Sequence, residues 1–268
     1  MPPRTVTGFM KTGEGISAFF PAYNDGPSLP GLLRRAFAAL ERATDDFEVI
    51  VVNDGSRDDT AAVLERMRAE LGPRLRIVTH ETNRGYGGAL RSGFAAATKD
   101  LVFYTDGDGQ YDPAEIHLLL EKWGPEAGLV NGYKTLRQDP WHRILIGRVY
   151  NRVARFLFGI RIRDIDCDFR LIRRTLVENL ELESTSGTIC LELVRKIEMT
   201  GCGVAEVPVS HYPRLHGRSQ FFRWRSLLTT ARQFARLYWK LVLRPFLAGA
   251  ARAAASACAI SAGKKSAL

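Results

Sequence analysis

The chain has 268 residues, 46% hydrophobic and 25% charged; this is a globular composition, long enough for one large α/β domain or two small ones, and it excludes a disordered or collagen-like chain. Net charge is +9 and unevenly placed: residues 207–268 hold 11 basic and no acidic residues, residues 134–174 hold 11 basic and 4 acidic, and the remainder holds 16 basic against 25 acidic. An acidic body with two basic segments suggests a polyanionic partner: nucleic acid, anionic lipid headgroups or a phosphorylated substrate.

Residues 1–14 read as a flexible leader without the apolar core of a signal peptide. Strand and helix signals then alternate. Strands are predicted at Ile16–Phe20, Glu48–Val52, Arg76–Thr79, Leu101–Thr105 and Gly128–Tyr133. Helices are predicted at Pro27–Ala43, Asp58–Leu71, Gly85–Lys99 and Pro113–Trp123. Such alternation implies crossover connections and a mostly parallel sheet. Ligands of such sheets bind at the carboxyl ends of the strands. Beyond residue 140 a helix is predicted over Trp141–Phe158, with Leu145, Val149, Val153 and Phe156 on one face and Arg148, Arg152 and Arg155 on another. Asp168–Arg173 and Val204–Val209 read as strands, and Thr188–Met199 as a helix. A long basic helix, Ser219–Arg244, is expected to end before Pro245, followed by an Ala-rich tail over 246–268. No run of 18 apolar residues occurs, so no spanning helix is predicted. Cys167, Cys190, Cys202 and Cys258 have no zinc or CxxC spacing and read as free thiols.

Three polar motifs follow predicted strands. Asp106-Gly107-Asp108-Gly109-Gln110 places two carboxylates in a glycine-rich turn, a donor set for Mg²⁺ or Mn²⁺ with open positions for a diphosphate; a solvated Asp-Gly turn is the alternative. Asn53-Asp54-Gly55-Ser56 offers a carboxylate to a nucleotide base or ribose, or a cap to the next helix. In Pro21-Ala22-Tyr23-Asn24-Asp25, Tyr23 can stack on a base and Asp25 can bond it, or the segment is a rigid turn. Asn83-Arg84-Gly85-Tyr86-Gly87-Gly88 departs from the dinucleotide pattern and reads as a tight strand-to-helix turn.

The set PAYND, VVNDGSRDDT, NRGYGGAL and DGDGQYDP, in this order, resembles the family 2 inverting glycosyltransferases, and among them the dolichol-phosphate mannosyltransferase-like group that glycosylates polyprenyl phosphates. The resemblance spans about residues 15–225. It implies the α/β GT-A fold: a Rossmann-like, mostly parallel sheet flanked by helices, here a catalytic domain over 15–218 with C-terminal amphipathic interface helices (219–245). It implies a nucleotide-diphospho-sugar donor, with Pro21, Tyr23, Asp25 and Asp54 around base and ribose, and Asp106, Asp108 and Gln110 at the metal and diphosphate. The segment from Trp141 to Asn151 resembles the family's acceptor-phosphate grip: Arg143, Arg148 and Asn151 match, Gly147 stands for a Ser, and Lys134 or Arg137 supplies a second cation. Arg214, Gly217 and Ser219 match a loop that closes over the donor, with Gln220 in place of Lys. In the segment Arg163–Arg174, Asp168 stands where the family has Gly.

On this reading Arg214 and a metal near Asp108 neutralise the departing diphosphate. A phosphate acceptor is already largely ionised at neutrality and needs no general base. A hydroxyl acceptor needs one, for which Asp166, Asp168, Glu192 and His211 are candidates. The expected setting is the cytoplasmic face of the membrane, with the basic helices lying in the headgroup layer; packing of their apolar faces on the body, or in a homo-oligomer, is the alternative. A nucleic-acid-binding module is disfavoured because no recognition motif is present.

Overall fold

Alternation of burial along the strands decides the layers. In β1 (Ile16–Ala22), Ile16, Ala18 and Phe20 point to one side and Phe19 to the other. In β2 (Phe47–Asn53) every residue is buried, which requires helices on both faces. Strands β3 (Leu75–Thr79), β4 (Leu101–Thr105), β5 (Ala127–Arg137), β6 (Phe169–Arg173) and β7 (Gly203–His211) complete one seven-stranded sheet in the order β3-β2-β1-β4-β6-β5-β7. All neighbours are parallel except at β6, which runs against both β4 and β5. This computed structural model describes residues 11–137, 141–214 and 224–248.

Helices α1 (Leu29–Ala43), α2 (Thr60–Leu71) and α4 (Ile116–Glu121) bury Leu33, Leu64 and Leu119 in one core. Helices α3 (Tyr86–Ala96), α5 (Trp141–Phe158), α6 (Arg174–Glu178), α7 (Thr188–Met199) and α8 (Trp224–Tyr238) cover the other. There Phe19 stacks on Tyr104 at 5.1 Å and meets Phe94 edge-on at 5.0 Å.

Several boundaries differ from expectation for identifiable reasons. Helix α2 starts at Thr60 rather than Asp58, because Asp58 Oδ1 accepts the Thr60 N–H at 3.1 Å. Helix α3 stops at Ala96 rather than Lys99: the N–H groups of Thr98 and Lys99 donate to Glu48 Oε1 (2.8 Å) and Ser17 Oγ (2.9 Å) instead of continuing the helical ladder. The C-terminal helix does not end before Pro245. A π turn at Trp239–Leu243 widens it, and it continues through 244–248; the wide turn accommodates a proline that lacks an N–H and crowds the preceding turn.

Candidate active site

The carboxyl ends of β1, β2 and β4 lie side by side, and their loops are tied to one another by main-chain bonds. Asp54 N–H donates to Ala22 O (2.9 Å) and Gly107 N–H to Pro21 O (3.0 Å). Asn24 adopts φ 57°, a left-handed conformation that Asn tolerates, and its Oδ1 accepts the Arg57 N–H at 2.8 Å. Tyr23 is half-buried, and its N–H donates to Asp25 Oδ2 at 3.0 Å. Burial pushes Asp25 up to about 6, against the opposing pull of that N–H and of Arg214.

Asp54 does not cap α2. Its Oδ1 accepts His80 Nδ1–H at 2.6 Å and the Arg84 N–H at 2.8 Å, and His80 Nε2 lies 2.8 Å from Ser92 Oγ. The side chain therefore joins the ends of β2 and β3 and the turn that precedes α3.

In the loop after β4, Gly109 takes φ +76°, a conformation open to glycine at little cost. Asp108 is 4% exposed; its Oδ1 accepts the Gln110 N–H at 2.9 Å and its Oδ2 pairs with Arg214. Arg214 is delivered by contacts between residues 102 apart in sequence: Tyr212 N–H donates to Gln110 O (2.8 Å), while Gln110 Nε2 donates to Tyr212 O (3.1 Å). Asp106 Oδ1 accepts the Tyr86 O–H at 2.8 Å. Burial, then the neighbouring charges of Asp168 and Asp108, hold the Asp106 carboxyl well above the usual carboxylate range. The site thus gathers Asp25, Asp106 and Asp108 around Arg214. Among the described residues no three His, Cys, Asp or Glu side chains form a ready cation cage. Mg²⁺ and ions like it are often held by one or two carboxylates, with water and phosphate oxygens filling the rest, and Asp106 and Asp108 are two carboxylates that could serve in that way.

Behind the loop lies fully buried Arg170. Its Nε donates to Asn131 Oδ1 (2.6 Å), Nη1 to Asp168 Oδ1 (3.0 Å) and to Tyr104 Oη, and Nη2 to Ile165 O. Asp168 also accepts from Cys190 Sγ at 3.1 Å. Its Oδ1 is thereby committed to a buried guanidinium. Glu192, buried, is likewise committed, to Lys196 and the N–H groups of Glu183 and Ser184. His211 is buried edge-on to Tyr111.

Of the expected acceptor grip, Arg148 is exposed on α5. Asn151 presents no spare amide proton: Nδ2 donates to Gly147 O (3.0 Å) and Asp166 Oδ2 (3.2 Å), and Oδ1 accepts the Ile165 N–H (2.7 Å). Lys134 Nζ donates to Asp166 O at 2.6 Å and sits 3.8 Å from Asp164 Oδ2. Asn151 thus fastens α5, and Lys134 fastens β5, to the 164–166 loop. Asp166 is half-buried, and burial raises it to about 6, with Lys134 opposing. Ser219 lies outside the described residues, as do the side chains of Arg137 and Arg143. Sequence reasoning missed His80, Tyr86, Arg170 and Gln233. His80 and Tyr86 do follow a predicted strand end, the position where functional side chains concentrate; Arg170 and Gln233 carry no such local signal.

Residues 17–181 match the family model "Glycosyl transferase family 2". An undecaprenyl-phosphate 4-deoxy-4-formamido-L-arabinose transferase of Sodalis glossinidius is 34% identical over 214 residues, 78% of this chain and 63% of that protein. One of the same name from Enterobacter sp. (strain 638) is 31% identical over 210 residues, 77% of this chain and 62% of that protein. The chain thus spans less than two thirds of the length of these curated relatives. Among solved structures, glucosyl-3-phosphoglycerate synthase from Mycobacterium tuberculosis, in complex with Mn²⁺, uridine diphosphate and glucosyl-3-phosphoglycerate, superposes with a TM-score of 0.65 at 20% identity, covering 85% of this chain and 80% of that one.

Proposed function

The chain belongs to glycosyl transferase family 2, and from that membership we propose that it transfers a sugar from a nucleotide-diphospho-sugar to a polyprenyl phosphate at a membrane surface, with inversion. The observation that carries this reading is the Asp106-Gly-Asp108 loop at the end of β4, with Arg214 folded onto Asp108 and Asp25 and Asp54 on the adjoining strand ends. A divalent ion held at Asp106 and Asp108 would offset charge on the departing diphosphate. Mg²⁺ and Mn²⁺ both suit these oxygens, and the structural neighbour was crystallised with Mn²⁺. Arg214 is the cation the chain itself brings to that loop. Asp25, Asp54 and Tyr23 take the base and ribose. The polyprenyl acceptor is supported by the names of the relatives, which act on undecaprenyl phosphate.

Among the described residues no helix is long and apolar enough to cross a membrane. Helix α5 instead packs on the body through Ala154 and Phe158 while exposing Leu145, Ile146, Val149, Val153 and Phe156, the last 86% exposed. Arg148, Arg152 and Arg155 are exposed on the same helix. Apolar side chains flanked by arginines suit an anionic bilayer, each arginine contributing about 1 kcal/mol near the surface. Docking there brings a lipid-borne phosphate to the donor.

The test is a screen of the purified chain with Mn²⁺, a panel of nucleotide sugars and a short polyprenyl phosphate, reading released nucleoside diphosphate and a glycolipid product. Turnover that requires the lipid phosphate supports the assignment. A hydroxyl acceptor is the second reading, favoured by Asp166, whose raised carboxyl at about 6 suits a general base. Turnover with oligosaccharide but not lipid phosphate selects it.

A further inference from the structure

Helix α8 and the π turn that follows it are bound to the loop over residues 183–187 through Gln233, Arg236 and Lys240. Gln233 Oε1 accepts the N–H groups of Thr185 and Ser186, both at 3.1 Å, and the Ser186 hydroxyl at 2.9 Å; its Nε2 donates to Thr185 Oγ1 at 2.7 Å. Lys240, in the π turn, meets both carboxylate oxygens of Glu183 at 2.7 Å, and Arg236 lies 3.4 Å from the same carboxylate. From the opposite side, Glu192 accepts the N–H groups of Glu183 and Ser184. Four consecutive main-chain N–H groups, 183 to 186, are therefore held by only two side chains, one on α7 and one on α8.

The carbonyls of that loop face the entry to α3. Gly87 N–H donates to Thr185 O at 3.0 Å, and Arg91 Nη1 to Ser184 O at 2.6 Å. The backbones touch: a Cβ on Gly87 would stand 2.0 Å from Ser184 O, and one on Gly85 2.6 Å from Thr185 O. Between those glycines sits Tyr86, whose O–H occupies Asp106 Oδ1. Asp106 shares its surroundings with the charges of Asp108 and Asp168. The Tyr86 hydroxyl, donating to Oδ1, fixes one orientation of the Asp106 carboxyl and leaves Oδ2 as the oxygen for other partners.

We propose that Gln233 is a positioning residue for Asp106, acting through the 183–187 loop and Tyr86, so that the C-terminal helix sets the geometry of the diphosphate site. This rests on the reading of Asp106 as part of that site. Displacing α8 releases the N–H groups of Thr185 and Ser186, frees the loop that abuts Gly85 and Gly87, and lets Asp106 turn. Small misplacements at reacting centres have large effects.

The experiment uses the full chain and isothermal titration at saturating Mn²⁺ with ADP, CDP, GDP and UDP, carrying forward the diphosphate that binds best. Tyr86→Phe, which removes one oxygen, is expected to weaken its binding about tenfold, and Gln233→Leu about fivefold. The double variant should bind within about twofold of Tyr86→Phe alone, because both act on one path. Gln233→Glu, which keeps the oxygen acceptors, should return to within about twofold of the unaltered chain. Fully multiplicative effects in the double variant, or unaltered binding by Gln233→Leu while Asp106→Asn still weakens it tenfold or more, overturn the inference. A merely structural Gln233 would lower melting temperature in the Leu and Glu variants alike and multiply with Tyr86→Phe. If none of the four diphosphates binds, or Asp106→Asn binds normally, the diphosphate-site reading itself has failed.

Discussion

Asp168→Ala would leave the Arg170 guanidinium buried among neutral partners only. The Arg170 side chain has no solvent exposure and that of Asp168 is 12% exposed, so water does little to screen the pair. After the substitution Arg170 keeps Asn131 Oδ1, Ile165 O and the Tyr104 hydroxyl, none of them charged. Removing one partner of a buried pair destabilises by about 3–5 kcal/mol. For a domain of this size each kcal/mol corresponds to roughly 2–4 °C, so the melting temperature should fall by about 6–20 °C. Asp168→Asn keeps one oxygen acceptor and should lose less, roughly 1.5–3 kcal/mol. Asp168→Ala combined with Arg170→Met removes the charge together with its partner and should be more stable than Asp168→Ala alone. Thermal melts and urea titrations of the full chain measure all three, together with Arg170→Met alone. A single variant within about 1 kcal/mol of the unaltered chain would refute the reasoning, as would a double variant that loses the sum of both singles. A turnover assay of Asp168→Asn tests a role in chemistry: a general base would lose turnover far beyond what the loss of folded protein accounts for.

The remaining predictions concern the site, its titration and the membrane. Asp108→Asn should reduce turnover by a hundredfold or more, on the order of the loss of one transition-state electrostatic contact, and abolish Mn²⁺-dependent diphosphate binding in calorimetry, while circular dichroism shows the chain still folded; retained turnover would remove Asp108 from the metal site. Asp25 has its folded-state carboxyl raised from 3.8 to about 6, so the folded state holds the proton more tightly than the unfolded one. Its contribution is therefore greatest below about pH 4 and is lost as pH rises through 6, leaving about 3 kcal/mol of destabilisation at pH 7. Asp25→Asn should accordingly raise stability at pH 7 and show no gain at pH 4, as read from urea midpoints across that range; a gain independent of pH would contradict the assignment. Replacing Arg148, Arg152 and Arg155 by Gln should weaken binding to vesicles containing anionic lipid by about fivefold per residue at low salt, as read by co-sedimentation; unchanged binding would show that another surface meets the bilayer.

What the sequence alone determined is local. The five strands before residue 140, the glycine turns and the Asp-Gly-Asp-Gly loop are written in short contiguous runs, because pleat alternation and turn chemistry act between near neighbours in the chain. The family resemblance adds the donor side for the same reason: its motifs are contiguous stretches at strand ends. Tertiary structure decided what lies between distant segments. Strand β6 runs antiparallel because its register is set by β4 and β5, whose paired residues lie 39 to 72 positions before their partners in it. Asp168 reads as an extra free carboxylate until Arg170, Tyr104 and Cys190 are brought around it. Asn151 reads as a phosphate ligand until the 164–166 loop takes its amide. Tyr86 meets Asp106 across 20 residues, Arg214 meets Asp108 across 106, and Gln233 meets Thr185 across 48. A hydrogen bond depends on where two atoms end up, and for partners so far apart only the folded chain settles that.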